Sequence, residues 1–281
     1  MNGPLKIILG SAFFALIPLS MALSPGSSIH ELLLGRLFVA AVLGWFLFRK
    51  QIKRGTDSPI RFSILFIWSM TMLVAMLAYF KSIQLCGMGL SAMLLGTQPV
   101  IIFLLSIFLF SHKIKFISLA AVVLCSVGIV LISLPGKNGA DFSLAGVFLA
   151  ILSALLLALN FTIKKHFLKG CDSMYLIVIQ SIIQIPFVAL LVDWSNMEWS
   201  VAYVEAILLL GVCCTIIAYR LIYDGITHTE SSLIGVYQST EYVMPMLMGL
   251  LFFGENYSMT QWLGCGIILS ATLSVELLSA K

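Results

Sequence analysis

Charge is what this sequence lacks most. Asp, Glu, Lys and Arg make up 10% of its 281 residues and hydrophobic residues 60%, against about 25% charged in soluble domains. So little polar surface excludes a soluble globular domain. The six cysteines (Cys86, Cys125, Cys171, Cys213, Cys214, Cys265) mostly sit inside apolar runs without paired spacing. That excludes a disulfide framework and a zinc site, and leaves them as small buried residues. No HExxH, GxSxG or clustered carboxylates occur, and His30, His112, His166 and His228 stand at span ends or beside basic loops. An enzyme needs a nucleophile, an acid–base pair or a metal constellation, so no enzyme, cofactor or metal is expected. A scaffold or sensor subunit would carry a soluble reading domain, and almost no length remains for one.

What is present is a series of apolar runs, each near the roughly 20 residues that cross a bilayer. Reading between breaker clusters predicts ten spans, at about 4–23, 30–48, 61–81, 89–111, 116–134, 144–164, 173–192, 201–222, 232–253 and 260–278. The breaks include Ser24-Pro25-Gly26-Ser27-Ser28, Pro135-Gly136-Lys137-Asn138-Gly139 and Gly254-Glu255-Asn256. The first run exceeds a signal-peptide core and has a counterpart later in the chain, so it reads as a span. The net charge of +4 matters through its distribution. With the N-terminus in the cytoplasm, 13 of the 16 basic residues fall on inside loops and ends; Lys81 and Lys137 fall outside, and Arg36 lies within a span. This follows the positive-inside rule and predicts a multi-pass protein of the cytoplasmic (inner) membrane with both termini cytoplasmic. The basic segment from Arg49 to Arg61 reads as a topology signal and anionic-lipid contact. The charge implies no nucleic-acid partner.

A shift of 143 residues lays one half of the chain on the other. Gly3, Ile8, Leu9, Ala15 and Leu16 meet Gly146, Ile151, Leu152, Ala158 and Leu159; Thr97, Val100, Leu104 and Phe110 meet Thr240, Val243, Leu247 and Phe253. Ala78-Tyr79 meets Ala218-Tyr219 at a shift of 140. Two repeats, 1–142 and 143–281, would each hold five spans and so insert with opposite orientation. The expected fold is therefore an all-α integral membrane protein, ten transmembrane helices in two inverted five-helix repeats. Such repeats characterise secondary transporters, with the substrate between the halves near the midplane. They favour alternating access over a channel.

Several motifs resemble a known family. Thr240-Glu241-Tyr242-Val243, then Gly249 and Gly254-Glu255, resembles the ninth-span "LEPV…G…GE" signature of EamA-type drug/metabolite transporters. Pro25 with Arg36 resembles that family's loop proline and second-span arginine, Gln98-Pro99-Val100 the first-half copy of the signature, and Leu159-Asn160-Phe161 its "LNF". Tyr242 departs from the usual proline, with Pro245 three residues on, and Ser111-His112 replaces the first-half Gly-Glu. The resemblance implies a central cavity lined mainly by spans one, three, four, six, eight and nine. It covers carriers of amino acids, nucleosides, quaternary amines and other metabolites, and leaves the substrate open.

Polar groups inside spans are the candidate binding residues, because charge there is expected to face protein or a wet cavity. Glu241 shares a helix face with Tyr237 and Gln238, fit to bind a substrate ammonium or accept a coupling proton; a packing carboxylate is the alternative. Gln98 is its neutral counterpart in span four, followed by Pro99, which can expose a carbonyl one turn back; an interhelical hydrogen bond would also explain it. Arg36 is expected to pair with Glu31 or snorkel outward, with a substrate carboxylate as the alternative. Tyr79 and Tyr219 read as interfacial anchors or cavity lining, and Asn160 as cavity lining. The Met244, Met246, Met248 stripe reads as adaptable packing. Together these predict a secondary transporter of a small organic metabolite, an amino acid or related zwitterion or cation, acting as an exporter. Nucleosides, nucleoside-like cofactors and lipophilic drugs are the alternative substrates. The other expected partners are the bilayer, protons as candidate coupling ion and, at most, a second copy in a homodimer.

Overall fold

A computed structural model describes residues 2–14, 16–24, 26–54, 61–110, 116–133, 143–195, 199–253 and 257–279. Among them the chain is helical nearly throughout. The helices are α1 (Gly3–Phe14), α2 (Ile17–Leu23), α3 (Ile29–Arg54), α4 (Phe62–Leu95), α5 (Gln98–Phe110), α6 (Phe116–Ser133) and α7 (Leu144–Phe167). They continue as α8 (Ser173–Ala189), α9 (Val201–Leu208), α10 (Ala218–His228), α11 (Ile234–Gln238), α12 (Thr240–Phe253) and α13 (Met259–Ser279). Four stretches, Ile29–Lys50, Phe62–Leu85, Leu144–Phe167 and Val201–His228, are individually long and apolar enough to cross a bilayer. Shorter apolar helices accompany them. Large side chains such as Phe46, Phe62, Phe108, Phe116 and Leu190 point outward, a surface that suits lipid and not water. This is a multi-pass membrane protein.

Local chemistry explains most boundaries. Ser143 accepts from the Gly146 amide to start α7, Asp172 accepts from Met174 and Tyr175 to start α8, and Ser200 accepts from Tyr203 to start α9. Such caps satisfy otherwise orphaned amides. The first expected span is two helices, because Pro18 opens α2; proline lacks an N–H and clashes one turn upstream. Span three and the start of span four form one helical run, yet the Ser82 and Ser91 hydroxyls are 2.7 Å apart. In a straight helix nine residues rise about 13 Å, so the run is not straight between them.

Three further spans are interrupted within, among the described residues. Span four breaks at Gly96-Thr97 before α5, and span nine breaks at Ser239 between α11 and α12. Span eight runs α9, then a π-helical stretch Leu209–Ile217, then α10. Inside that stretch Thr215 bonds back to the Leu210 carbonyl at 2.8 Å, and Gly211 lets the backbone close on Val39 and the Arg36 carbonyl.

The most extensive packing joins α4 with α7, α6 with α13, α3 with α8, and α1 with α10. Exchanging span one with six, two with seven, and so on maps this set of pairs onto itself. Glycines make two of the pairings close: Gly3 and Gly10 against Gly225, Ala218 and Ile222, and Gly128 against Gly264. Small residues allow this approach where no hydrophobic force drives helices together.

Candidate functional site

Two small cavities meet at Arg36 in the middle of the bundle. One is bounded by Arg36 and Leu37 of α3, Met72 and Met76 of α4, Ile177, Gln180, Ser181 and Gln184 of α8, and Thr215 and Tyr219 of span eight. The other lies among Ile17, Ile29, Leu32, Leu33, Arg36, Phe80 and Leu210. A third, tightly closed crevice lies where spans four and nine cross, among Gln98, Pro99, Gly235, Gln238, Ser239 and Tyr242.

Arg36 is 5% exposed, so it does not snorkel. The pairing with Glu31 does not form either: the Glu31 carboxylate accepts from the Ser28 hydroxyl at 2.8 Å and the Ser28 amide at 3.3 Å. Glu31 caps the helix start, and Arg36 has no ion-pair partner among the described residues. Its guanidinium lies 5.9 Å from the Tyr219 ring centroid, a cation–π contact. An unpaired arginine in a span costs at least about 2.5–3.5 kcal/mol on insertion scales. Tyr219 belongs to an aromatic chain in which Phe14, Tyr219, Tyr223 and Trp68 contact in turn at 5.2, 5.3 and 5.5 Å.

Glu241 falls in the first turn of α12, a position visible once span nine is seen to break at Ser239. A carboxylate is favoured there by the helix dipole. Gln238 Nε2 donates to it at 3.4 Å. Gln98 begins α5, the corresponding half-helix. Gln98 and Gln238 share the third crevice, which Glu241, the counterpart of Gln98, does not line. Tyr237 is buried and Tyr79 half-buried.

Asn160 is elsewhere. It is fully buried, and its amide donates to the Trp68 carbonyl at 2.8 Å and to Thr71 Oγ1 at 3.3 Å. Trp68 Nε1 returns a bond to the Asn160 carbonyl at 3.1 Å. Asn160 thus clasps α7 to α4 and lines none of the three spaces described. Pro25, Ser111-His112, the loop around Asn138 and Gly254-Glu255 lie outside the described residues, as do the side chains of Pro245, Met246 and Met248.

The cavity also contains residues that the sequence reading passed over. Gln180, Ser181 and Gln184 stand on one face of an otherwise apolar α8, and their four-residue spacing was a usable signal. Thr215 carried none. Gln180 Oε1 accepts from Tyr223 Oη at 2.9 Å, and Gln184 Nε2 donates to the Ser69 carbonyl at 2.8 Å.

A sequence model described as the EamA-like transporter family matches residues 1–134 and 144–276. Among curated proteins of Bacillus subtilis (strain 168), this chain is 25% identical over 198 residues to the uncharacterized transporter YxxF, covering 67% of this chain and 61% of the relative. It is 23% identical over 189 residues to the uncharacterized transporter YetK, covering 64% and 57%. The match thus spans about three fifths of those relatives. A solved crystal structure 16% identical superposes with a TM-score of 0.83, covering 98% of this chain and 96% of that one, a likeness of fold alone.

Proposed function

The chain belongs to the EamA-like transporter family, and we propose that it moves a small amino acid or related zwitterion across the cytoplasmic membrane by alternating access, in the export direction. The observation that carries this reading is the polar cavity at Arg36, walled by α3 and α4 from the first half and by α8 and span eight from the second. Arg36 lies against Tyr219 at this cavity, and Glu241 stands in the first turn of α12 in the second half, so the bundle holds a cation and a carboxylate for a solute that carries both charges.

Three further features support it. The two matched stretches each contain five of the ten spans, as two repeats would. Helix pairing is unchanged when the halves are exchanged. Discontinuities fall at Gly96-Thr97 and Ser239, corresponding places in spans four and nine, and such paired breaks mark binding regions in transporters built from repeats. The test is counterflow of radiolabelled neutral amino acids in proteoliposomes, with Glu241→Gln compared to wild type. Saturable counterflow that Glu241→Gln abolishes, in a variant that purifies normally, is the expected result. Undiminished counterflow in Glu241→Gln would assign that carboxylate to packing. Efflux from loaded cells exceeding uptake would support the export direction.

A further inference from the structure

We infer that the Arg36 cavity is a carboxylate-binding subsite, and that the solute it receives is a small carboxylate with an apolar body. This rests on the transporter reading and names the chemistry of that same site.

Donors and acceptors around Arg36 are unevenly matched. Arg36 Nε and Gln180 Nε2 are both buried and without a partner among the described residues. Both are donors. Two nearby acceptors are engaged elsewhere: Gln180 Oε1 takes the Tyr223 hydroxyl, and the Glu31 carboxylate is held by Ser28. The nearby hydroxyls donate into their own helices, Ser181 to the Ile177 carbonyl and Thr215 to the Leu210 carbonyl, both at 2.8 Å, and neither carries a charge to balance the guanidinium. Gln184 spends its amide N–H on Ser69. The cavity therefore offers a cation and orphaned donors, and buried groups left so are costly.

Chemistry selects the occupant. An ionised carboxylate only accepts, carries the opposite charge, and fits a guanidinium in a two-pronged bond. An ammonium would bring its own donors and a like charge. Around these polar groups the walls are apolar: Leu37, Met72, Met76 and Ile177 on one side, Leu32, Leu33, Phe80 and Leu210 on the other. A few convergent polar groups in an apolar pocket is the usual form of a small-ligand site. The ring of Tyr219 closes one face of the guanidinium, and Gly211 holds the π-helical segment of Thr215 against the Arg36 carbonyl. The arginine is therefore fixed by its surroundings before any ligand arrives.

The test uses the full chain in lipid nanodiscs and isothermal titration at constant ionic strength. The probes are 4-methylpentanoate, its uncharged amide, 3-methylbutylamine and sodium chloride. The acid should bind saturably, and the amide at least about tenfold more weakly, since it loses the charge-assisted bonds. Amine and chloride should not compete. Arg36→Lys keeps the charge but loses the fork, and should weaken the acid about tenfold or more. Gln180→Leu should weaken it about threefold to tenfold and leave the amide unaffected. Equal binding of acid and amide, or wild-type acid affinity in Arg36→Lys, would overturn the subsite. Should Arg36→Lys fail to fold, Gln180→Leu and the acid–amide comparison in wild type still decide. Acid binding without counterflow in proteoliposomes would refute the transporter reading and leave the subsite standing. Counterflow with no preference for acids would do the reverse.

Discussion

A methyl group at Gly235 has nowhere to go. Built on the native backbone, the β-carbon of Gly235→Ala would lie 2.5 Å from Pro99 Cα, 2.8 Å from Pro99 Cβ and 3.3 Å from the Pro99 carbonyl carbon. Ordinary carbon contacts begin near 3.5 Å, so the helices of spans four and nine must part by about 1 Å where both are broken. Overpacking of a tight contact costs about 1–3 kcal/mol, against which alanine returns up to about 1 kcal/mol of helix propensity. A net loss of about 1–2 kcal/mol is expected. Gly266→Ala is the control, because nothing lies within 4 Å of its β-carbon, and it should be neutral or slightly stabilising. The assay is the unfolding midpoint in detergent for both variants, alongside counterflow. Pro99→Ala should not rescue Gly235→Ala, because the nearest obstacle is a backbone atom that every residue carries. Wild-type stability in Gly235→Ala, or rescue by Pro99→Ala, would refute the tight crossing.

Asn160→Leu should lower stability by about 1–2 kcal/mol, the range of interhelical hydrogen bonds in membranes, while leaving the apparent affinity for transported solute unchanged in counterflow. Lys165→Met removes a cation that donates to the carbonyls of Ile226, Thr227 and Thr229 at 2.9, 3.0 and 2.6 Å; a loss of about 1–3 kcal/mol in thermal unfolding is expected. Lys6→Met breaks the Lys6–Asp224 contact of 3.6 Å between partly exposed groups, and should cost no more than about 1 kcal/mol by the same measurement. In a background without the native cysteines, a thiol at Lys169 should label from the cytoplasmic side alone and one at Asp193 from the outer side alone; the reverse pattern would overturn the topology.

The helices were legible because hydrophobic run length answers directly to bilayer thickness. Their interruptions were less so. The α1–α2 break follows from Pro18 and could have been read, but Ser239 carries no breaking chemistry, and the π-helical stretch depends on Gly211 meeting Val39 across the bundle. A single chain read linearly contains no such contact. Seeing the Ser239 break changes the meaning of Glu241, from a carboxylate ten residues into a span to one at the start of a half-helix. For the site, Arg36 and Tyr219 were identified and do meet. Asn160 shows the limit: an amide in an apolar helix signals an unsatisfied need, which a cavity and a neighbouring carbonyl meet equally well. Gln180 and Gln184 were passed over because a hydropathy average absorbs two amides among isoleucines.

One set of polar contacts lies toward the end of the bundle opposite the cavity at Ile17 and Phe80. Lys165 ties the end of α7 to the end of α10, Lys6 ties the start of α1 to Asp224, and Ser173 at the start of α8 donates to that same aspartate. Gly3 and Gly225 bring α1 and α10 together beside them. The cavity residues Ile17, Ile29, Leu32 and Phe80 lie toward the other ends of their spans. On the proposed topology these contacts stand at the cytoplasmic end, and in the proposed export direction a solute would have to part them. Each is individually modest: one half-exposed ion pair, one lysine on three carbonyls, one hydroxyl on a carboxylate. A barrier assembled from several weak, separable contacts can open on a transport timescale, whereas an equal stabilisation held in one buried apolar interface would resist opening as a unit. Lys165 is the member with the most bonds, so its removal should lower the barrier most.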